Sequence, residues 1–268
     1  MTIISLSPFD LSAAAMLVII LSLLSFGMKL NLSRQIIIAG LRTTVQLLLI
    51  GIVLKSLFAN VHIGWVALIA FFMLTVAGHE IMSRQKREFT GWWKYGVGTL
   101  SMSVSSFSIT ILALTVIIKI EPWYEPRYAI PLLGMLMGNT MSGIAIALDR
   151  LTQTAYDQQA IIEARLMLGQ EWKEALENIT KESIRSGLIP IINSMAVAGV
   201  VSLPGMMTGQ ILAGNPPMDA VKYQILIMFL IAGGTGFGTI IAVWLGSRRL
   251  FDDRQRLRLD RLKNRTKN

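Results

Sequence analysis

The sequence predicts an all-α integral membrane protein of about seven transmembrane helices, with its N-terminus outside and its C-terminus in the cytoplasm. Three observations carry this. The 268-residue chain is 53% apolar and 15% charged, with a mean hydropathy of +0.57, whereas a soluble domain carries about 25% charge. Seven stretches contain no Lys, Arg, Asp or Glu, namely 11–28, 43–54, 56–79, 95–118, 128–148, 186–218 and 223–247. At about 20 residues per crossing, most can span a bilayer as one helix. Alternating these spans puts 20 basic residues on the side of the C-terminal tail and 4 opposite, the bias that marks the cytoplasmic face.

In chain order, the first stretch is preceded by no Lys or Arg, so it lacks the basic start of a signal peptide and reads as a retained helix. The second runs from near Gln35 to Leu54 and holds Arg42. The sixth is expected to be broken, because Pro190 stands in its first turn and Ser202-Leu203-Pro204-Gly205 ends or kinks a helix. Met206–Gly214 then reads as a short external or re-entrant piece before Asn215-Pro216-Pro217. Small residues recur every four positions at Gly134, Gly138 and Ser142 in the fifth stretch, and at Gly234, Gly238, Ala242 and Gly246 in the seventh. That spacing lets helices approach closely. Residues 1–247 form the transmembrane domain and 248–268 a basic cytoplasmic tail, where nine of the 25 basic residues are found. Such a tail suits anionic lipid headgroups rather than nucleic acid.

Several chemistries are excluded. A soluble Rossmann or barrel enzyme does not fit the hydropathy. With no cysteine and two histidines, the chain has no disulfide framework, thiolate nucleophile, Fe–S cluster or three-histidine metal site. No carboxylate stands in any charge-free stretch, which removes two-aspartate intramembrane catalysis, and no G-x-x-x-x-G-K-[ST] loop occurs for ATP. Gly-Gly-Thr-Gly-Phe-Gly at 233–238 lies inside an apolar span without a preceding strand and reads as packing. The chain reads as a non-enzyme that binds no cofactor itself.

The one substantial polar segment between spans, 149–186, is strongly patterned. Trp172, Ala175, Leu176 and Ile179 fall at i, i+3, i+4 and i+7, with Lys173, Glu174, Glu177 and Lys181 around them, which predicts an amphipathic helix. Before it, Gln158–Leu168 reads as a helix stopped by Gly169. An interfacial connector and a docking element for a partner are both compatible with this pattern.

Glu163-Ala164-Arg165, Gly169 and the later Leu188-Ile189-Pro190 resemble the cytoplasmic coupling element of ABC-transporter permeases, with Arg165 where that motif has its second Ala and a longer Gly-to-Pro interval. A closer resemblance covers nearly the whole chain. Ile162-Glu163-Ala164-Arg165-Leu166-Met167-Leu168-Gly169, the run Leu203-Pro204-Gly205-Met206-Met207-Thr208-Gly209-Gln210-Ile211-Leu212-Ala213-Gly214, and Gln224-Ile225-Leu226-Ile227-Met228 are similar to the bacterial FetB permease family, which is related to plant permease-like proteins linked to aluminium tolerance. The resemblance implies a multi-pass permease subunit of the bacterial inner membrane that exports iron. It would pair with a separate FetA-like ATPase holding ATP-Mg, and Glu163, Ala164, Arg165, Gly169 and Trp172 would form the docking element. Two copies are expected if each ATPase of a dimer is to find its own docking helix.

Candidates for the translocation path follow. A charge inside a span costs about 2.5 kcal/mol or more at the helix centre, so Arg42, with Gln46 one turn on, either lines a polar path or snorkels to the headgroups. Asn139, Met135, Met137, Met141, Met206 and Met207 offer neutral contacts. If iron is the cargo, His79 and Glu80 suit a ferrous ion at an entry, although adjacent helical residues point about 100° apart. Glu121 and Glu125, flanking Pro122-Trp123-Tyr124, could receive or release a cation outside. The competing readings are an ABC permease for an organic anion or nucleotide sugar, with Arg42 as the anion contact, and a regulatory membrane subunit with no conduit.

Overall fold

A computed structural model of the chain describes residues 7–59 and 61–264. The described residues fall into two compact units. One comprises those up to Val61 together with Ile211–Asn215, and the other His62–Gln210 together with the described residues from Pro216 onward.

The smaller unit is a helical hairpin of α1 (Pro8–Gly27) and α2 (Ser33–Ala59), which pack on each other. Ser7 and Asp10 form a reciprocal capping box at the start of α1, satisfying backbone donors that the first turn leaves open. The hairpin is pinned where the hydroxyl of Ser22 donates to the carbonyl of Ser33 at 3.2 Å and where Gly40 lets α2 approach Val18.

The larger unit holds α3 (Ile63–Ser83), β1 (Arg87–Phe89), α4 (Trp93–Leu112, continued by a π-turn over Ala113–Ile117), α5 (Pro126–Asp157), α6 (Gln159–Met167), α7 (Trp172–Ala175), α8 (Glu177–Val197), α10 (Pro217–Arg249) and β2 (Leu262–Asn264). Helix α9 (Gly205–Leu212) begins in this unit, and its last two residues belong to the smaller one. At 1.5 Å per residue the 32 residues of α5 extend about 48 Å, beyond a hydrocarbon core of about 30 Å. Its last turns, with Asp149, Arg150 and Asp157, therefore have no need to enter the apolar layer. Helix α5 is the centre of the unit and packs on α3, α4, α8 and α10, while α10 also packs on α4 and α8. The core is built from Ile81, Met102, Leu136, Ile144, Leu148, Leu151 and Val243, all fully buried.

Among the described residues, six helices are long and apolar enough to cross a membrane: Phe9–Gly27, Ser33–Ala59, Ile63–Ser83, Trp93–Ile117, Pro126–Asp157 and Pro217–Arg249. The predicted sixth stretch, 186–218, is not one helix. Helix α8 begins in the polar segment, carries Pro190 in its interior, and ends at Val197. The chain then reverses through Gly199, at φ +83°, with Ala198 bridged to Ser202, before Pro204-Gly205 opens the eight-residue α9. The sequence predicts a break in this stretch, but it starts earlier than the Leu-Pro-Gly run: α8 ends at Val197, and Leu203-Pro204 precede the start of α9 at Gly205. Pro190 does not end its helix; the hydroxyl of Ser194 donates to the Pro190 carbonyl at 2.9 Å within an unbroken α8.

Close packing corrects one reading and supports another. On α10 the residues Gly234, Gly238, Ala242 and Gly246 are all buried, as their spacing predicted. On α5 the glycine in backbone-tight contact with α8 and α10 is Gly143, while the predicted Gly134 approaches the Met73 methyl of α3, 3.2 Å from where a β-carbon would stand, and Gly138 approaches nothing. A β-carbon at Gly138 would touch nothing within 4 Å, whereas one at Gly143 would stand 2.7 Å from the Thr235 methyl and 3.0 Å from the Gly187 carbonyl oxygen. Gly187 is tighter still, 2.6 Å from the Gly143 carbonyl oxygen, so the backbones of α5 and α8 meet with no room for a side chain.

The basic C-terminal residues are folded into the larger unit. Leu250 and Phe251 are buried, the N–H of Arg258 donates to the Leu250 carbonyl at 2.7 Å, and β2 pairs antiparallel with β1, Phe89 opposite Leu262. Arg261 donates to the carbonyls of Arg249 and Phe251 at 2.9 and 3.0 Å. The ladder is anchored to α5, where Asp149 accepts from the Lys86 N–H at 2.7 Å and the Arg87 guanidinium lies 3.3 Å from the Tyr156 ring centre.

Candidate functional site

Within the larger unit, α5, α8, the first residues of α9 and α10 line an open groove of about 330 Å³. Its polar and soft lining comes from Met135 and Asn139 on α5, Ser194 on α8, Met206 on α9, and Gln224 and Met228 on α10. Isoleucines and a valine supply much of the remaining wall, and no lining residue is charged. The Asn139 carboxamide nitrogen donates to the Met135 carbonyl at 2.8 Å. A backbone carbonyl can only accept, so this bond fixes which end of the amide is nitrogen. Ser194 likewise gives its hydrogen to Pro190. Gln224 is 8% exposed, and its Oε1 is buried without a hydrogen-bond partner. Asn139 keeps a second amide hydrogen and the Gln224 carboxamide nitrogen makes no hydrogen bond among the described residues, so the groove offers donors as well as acceptors, and the thioethers add weak acceptors of their own.

Three predicted path residues, Met135, Asn139 and Met206, come together here. Met207 is half-buried on α9 but is not part of the lining. Arg42 and Gln46 lie one turn apart on α2, in the smaller unit, with both side chains exposed on that helix. Gln224 was not anticipated as a site residue. Its signal was available, since it is the only carboxamide side chain in α10.

The predicted cation pairs stand elsewhere. His79 is exposed and Glu80 half-buried near the end of α3, where the Ser83 hydroxyl donates to Glu80 Oε2 at 3.2 Å. Glu121 is exposed, and Glu125 stands just before α5 without a side-chain capping bond, its carboxylate 3.9 Å from Arg127 Nε. Among the described residues, no group of three or more His, Asp and Glu is gathered as a metal ion would require.

The patterned polar segment forms a helix–turn–helix. Helix α6 ends with Gly169 at φ +89°, where a side chain would be strained, and the N–H of Gln170 reaches back to the Arg165 carbonyl at 3.2 Å. Glu163 accepts from Gln159 at 2.8 Å, Ala164 is exposed, and Arg165 donates to the Ala175 carbonyl at 3.4 Å. Trp172 faces the C-terminal residues: its N–H donates to Gln255 Oε1 at 3.1 Å and its ring stands 5.8 Å from that of Phe251. Ala175, Leu176 and Ile179 are buried and Trp172 half-buried, so the predicted apolar face is the packed one. The single helix expected there is divided at Leu176 into α7 and α8. Met167 and Leu168, each 83% exposed, form an apolar tip beside Gly169. On the C-terminal residues, two hydrogen bonds from Arg258 hold the Asp260 carboxyl down to about 2.

Fold and groove together define a multi-pass, all-α integral membrane protein. The family described as Uncharacterised protein family (UPF0014) matches residues 8–251, and the chain belongs to it. It is 39% identical over 232 residues to the UPF0014 membrane protein slr1647 of Synechocystis, covering 85% of this chain and 87% of that one. It is 33% identical over 254 residues, 95% and 96% of the two chains, to the Probable iron export permease protein FetB of Escherichia coli. It is 32% identical over 234 residues, 87% and 84%, to Protein ALUMINUM SENSITIVE 3 of Arabidopsis thaliana. No solved structure matches the chain significantly.

Proposed function

We propose that the chain is the permease subunit of an ABC transporter that exports iron across the bacterial inner membrane, powered by ATP hydrolysed on a separate FetA-like subunit. The observation that carries this reading is similarity along 95% of the chain to a relative named as a probable iron export permease. The layout of the larger unit supplies a mechanism. Helix α8 is continuous from Glu177, beside the helix–turn–helix, to Val197 on the groove wall, with Ile191 and Ser194 between. A displacement of α6 and α7 by a nucleotide-driven ATPase would move the groove wall without further linkage. In this mechanism Glu163, Ala164, Arg165 and Gly169 present the docking surface, while Trp172 braces it on Phe251. The permease works as a homodimer with its C-terminus in the cytoplasm, and ATP-Mg stays on the partner. The lining carries neither Lys, Arg or His nor Asp or Glu, so it sets no fixed charge against cargo of either sign.

The test is co-purification with the ATPase, reconstitution in liposomes, and measurement of hydrolysis and iron flux with and without Fe(II). Iron-stimulated hydrolysis with ATP-dependent iron movement is expected. A stable complex that hydrolyses ATP but ignores iron would discard the cargo, and failure to form a complex would discard the permease assignment.

A further inference from the structure

We propose that the start of α4, the end of α10 and the β1–β2 ladder together form a binding surface for the headgroups of anionic phospholipids. Arg248, Arg249, Arg261 and Lys263 supply the charge, and Trp92, Trp93 and Trp244 seat the surface at the boundary of the apolar layer. This surface is separate from the groove and from the helix–turn–helix. From the permease reading it takes only the cytoplasmic placement of the C-terminus.

Residues 84–94 and 248–264, joined by the pairing of β1 with β2, carry eleven basic and four acidic side chains. Three of the four acids are already matched within the chain. Glu88 meets Lys94 at 2.9 Å, Asp252 meets Arg256 at 2.8 Å, and Asp260 meets Arg258 at 2.8 Å. Among the described residues, no carboxylate stands within ion-pair distance of Arg248, Arg249, Arg261 or Lys263, so their charge is unbalanced within the chain. The fold nevertheless gathers them. The Arg261 guanidinium donates to the Arg249 carbonyl at 2.9 Å, the Thr90 N–H donates to the Arg261 carbonyl at 2.9 Å, and Lys263 stands opposite Glu88 in the ladder. Arg248 and Lys263 are exposed, while Arg249 and Arg261 are half-buried. Like charges held together repel, and an anionic membrane surface offsets that repulsion.

Three indoles share the place, and they select a lipid over a soluble partner. Two stretches apolar enough to cross a membrane have their limits here, since Trp93–Ile117 begins and Pro217–Arg249 ends at this point. Trp92, one residue before the first, is 94% exposed, and Trp93 and Trp244 are exposed as well. The Arg249 guanidinium lies 5.1 Å from the Trp93 ring centre, and that of Arg248 lies 5.9 Å from the Trp244 ring centre. At a membrane boundary an indole rests its ring on acyl chain and turns its N–H to the headgroups. An arginine beside it then meets phosphate in charge-assisted hydrogen bonds. An acidic soluble protein would satisfy the arginines and leave the rings in water. The C-terminal residues that meet the helix–turn–helix are different ones, Phe251 and Gln255.

The experiment is native mass spectrometry of the full-length chain released from micelles that hold equal amounts of phosphatidylglycerol and phosphatidylcholine. Wild type should retain phosphatidylglycerol in preference. A basic side chain near a membrane surface is worth roughly fivefold, so Arg248→Gln with Lys263→Gln should lower that preference by about tenfold or more. Both side chains are exposed, and the double variant should fold as wild type. Arg248→Lys with Lys263→Arg keeps the charge and should restore the preference. Lys173→Gln, exposed on the helix–turn–helix, should leave it unchanged. Wild type without a preference, or an undiminished preference in the double glutamine variant, would overturn the proposal. A double variant that keeps its lipid preference but loses the ATPase complex would overturn it too, and make the surface a protein contact. Absence of the preference alongside ATP-driven iron flux would leave the permease reading standing. A preference lost on neutralising these residues, in a chain that forms no ATPase complex, would overturn the permease reading and leave the lipid surface.

Discussion

Helices α5, α8 and α10 meet twice, and the two meetings are built in opposite ways. Around Gly143, Gly187 and Thr239 the backbones touch, and Gly238 lies against the Thr140 methyl, with a β-carbon excluded at each glycine. About two turns along α5, roughly 12 Å at 1.5 Å per residue, the same helices diverge around Met135 and Asn139, and line the open groove. Within lipid there is no hydrophobic force to drive helices together, so the first region must gain its adhesion from contact between small residues. The second region gives up that contact and is lined instead by flexible methionines and neutral amides. A rigid junction next to an adaptable space lets one helix transmit motion to the other without the bundle coming apart.

Breaking the junction should produce the largest effect. Gly187→Ala places a carbon 2.6 Å from the Gly143 carbonyl oxygen, a backbone atom that cannot swing away. A loss of about 2–3 kcal/mol is expected, as for overpacked cores, read as a lowered thermal midpoint in detergent. Gly138→Ala, with nothing within 4 Å, should leave the midpoint equal or raise it, with up to about 1 kcal/mol gained from helix propensity.

The next largest effect should fall on coupling. Glu163→Lys reverses a charge on α6 while leaving its buried neighbour Ile162 in place. Membrane insertion should be normal, whereas stimulation of the ATPase and export should fall by about fivefold or more, as expected for a charge at a docking surface. Wild-type stimulation and export by this variant would remove Glu163 from the mechanism.

The groove side of the comparison is sharpened by Gln224→Leu. Replacing a buried acceptor that lacks a partner by an apolar group of similar size should leave stability equal or raise it by up to about 1 kcal/mol, while transport falls. Loss of both stability and transport would instead make Gln224 a packing residue. The smallest expected effect concerns pH. Asp260 is held at about 2, below its ordinary 3.8, first by hydrogen bonds from Arg258, and Asp252 is lowered chiefly by the backbone N–H of Arg256. A lowered carboxyl stabilises the folded form above its ordinary pKa, and that contribution fades as pH falls from about 4 towards 2. Trp172 fluorescence, reporting its contact with Phe251, should change in that window and stay constant between pH 5 and 7.

Hydropathy alone determined that this chain lies in a membrane, because a surface with so few charges cannot be hydrated. Local chemistry alone determined the stop at Gly169, where glycine takes a positive φ without strain, and that the stretch 186–218 is interrupted; the interruption itself begins at Val197, ahead of Leu203-Pro204-Gly205. The four-residue period on α10 was legible for the same reason, since a helix repeats its face every turn. The tertiary structure decided which face of α5 answers it. Gly134 and Gly138 have the right spacing, yet Gly134 meets α3, Gly138 meets nothing, and Gly143 makes the contact with α8 and α10, because rotation of a helix about its axis is set by its neighbours. It also decided that Pro190 is carried inside α8, that the basic terminus folds onto α5 and α7, and that Met135, Met206, Gln224 and Met228 share one space. Those four residues are separated by up to 93 positions, and no local pattern can register a site whose parts become neighbours only when four helical segments pack.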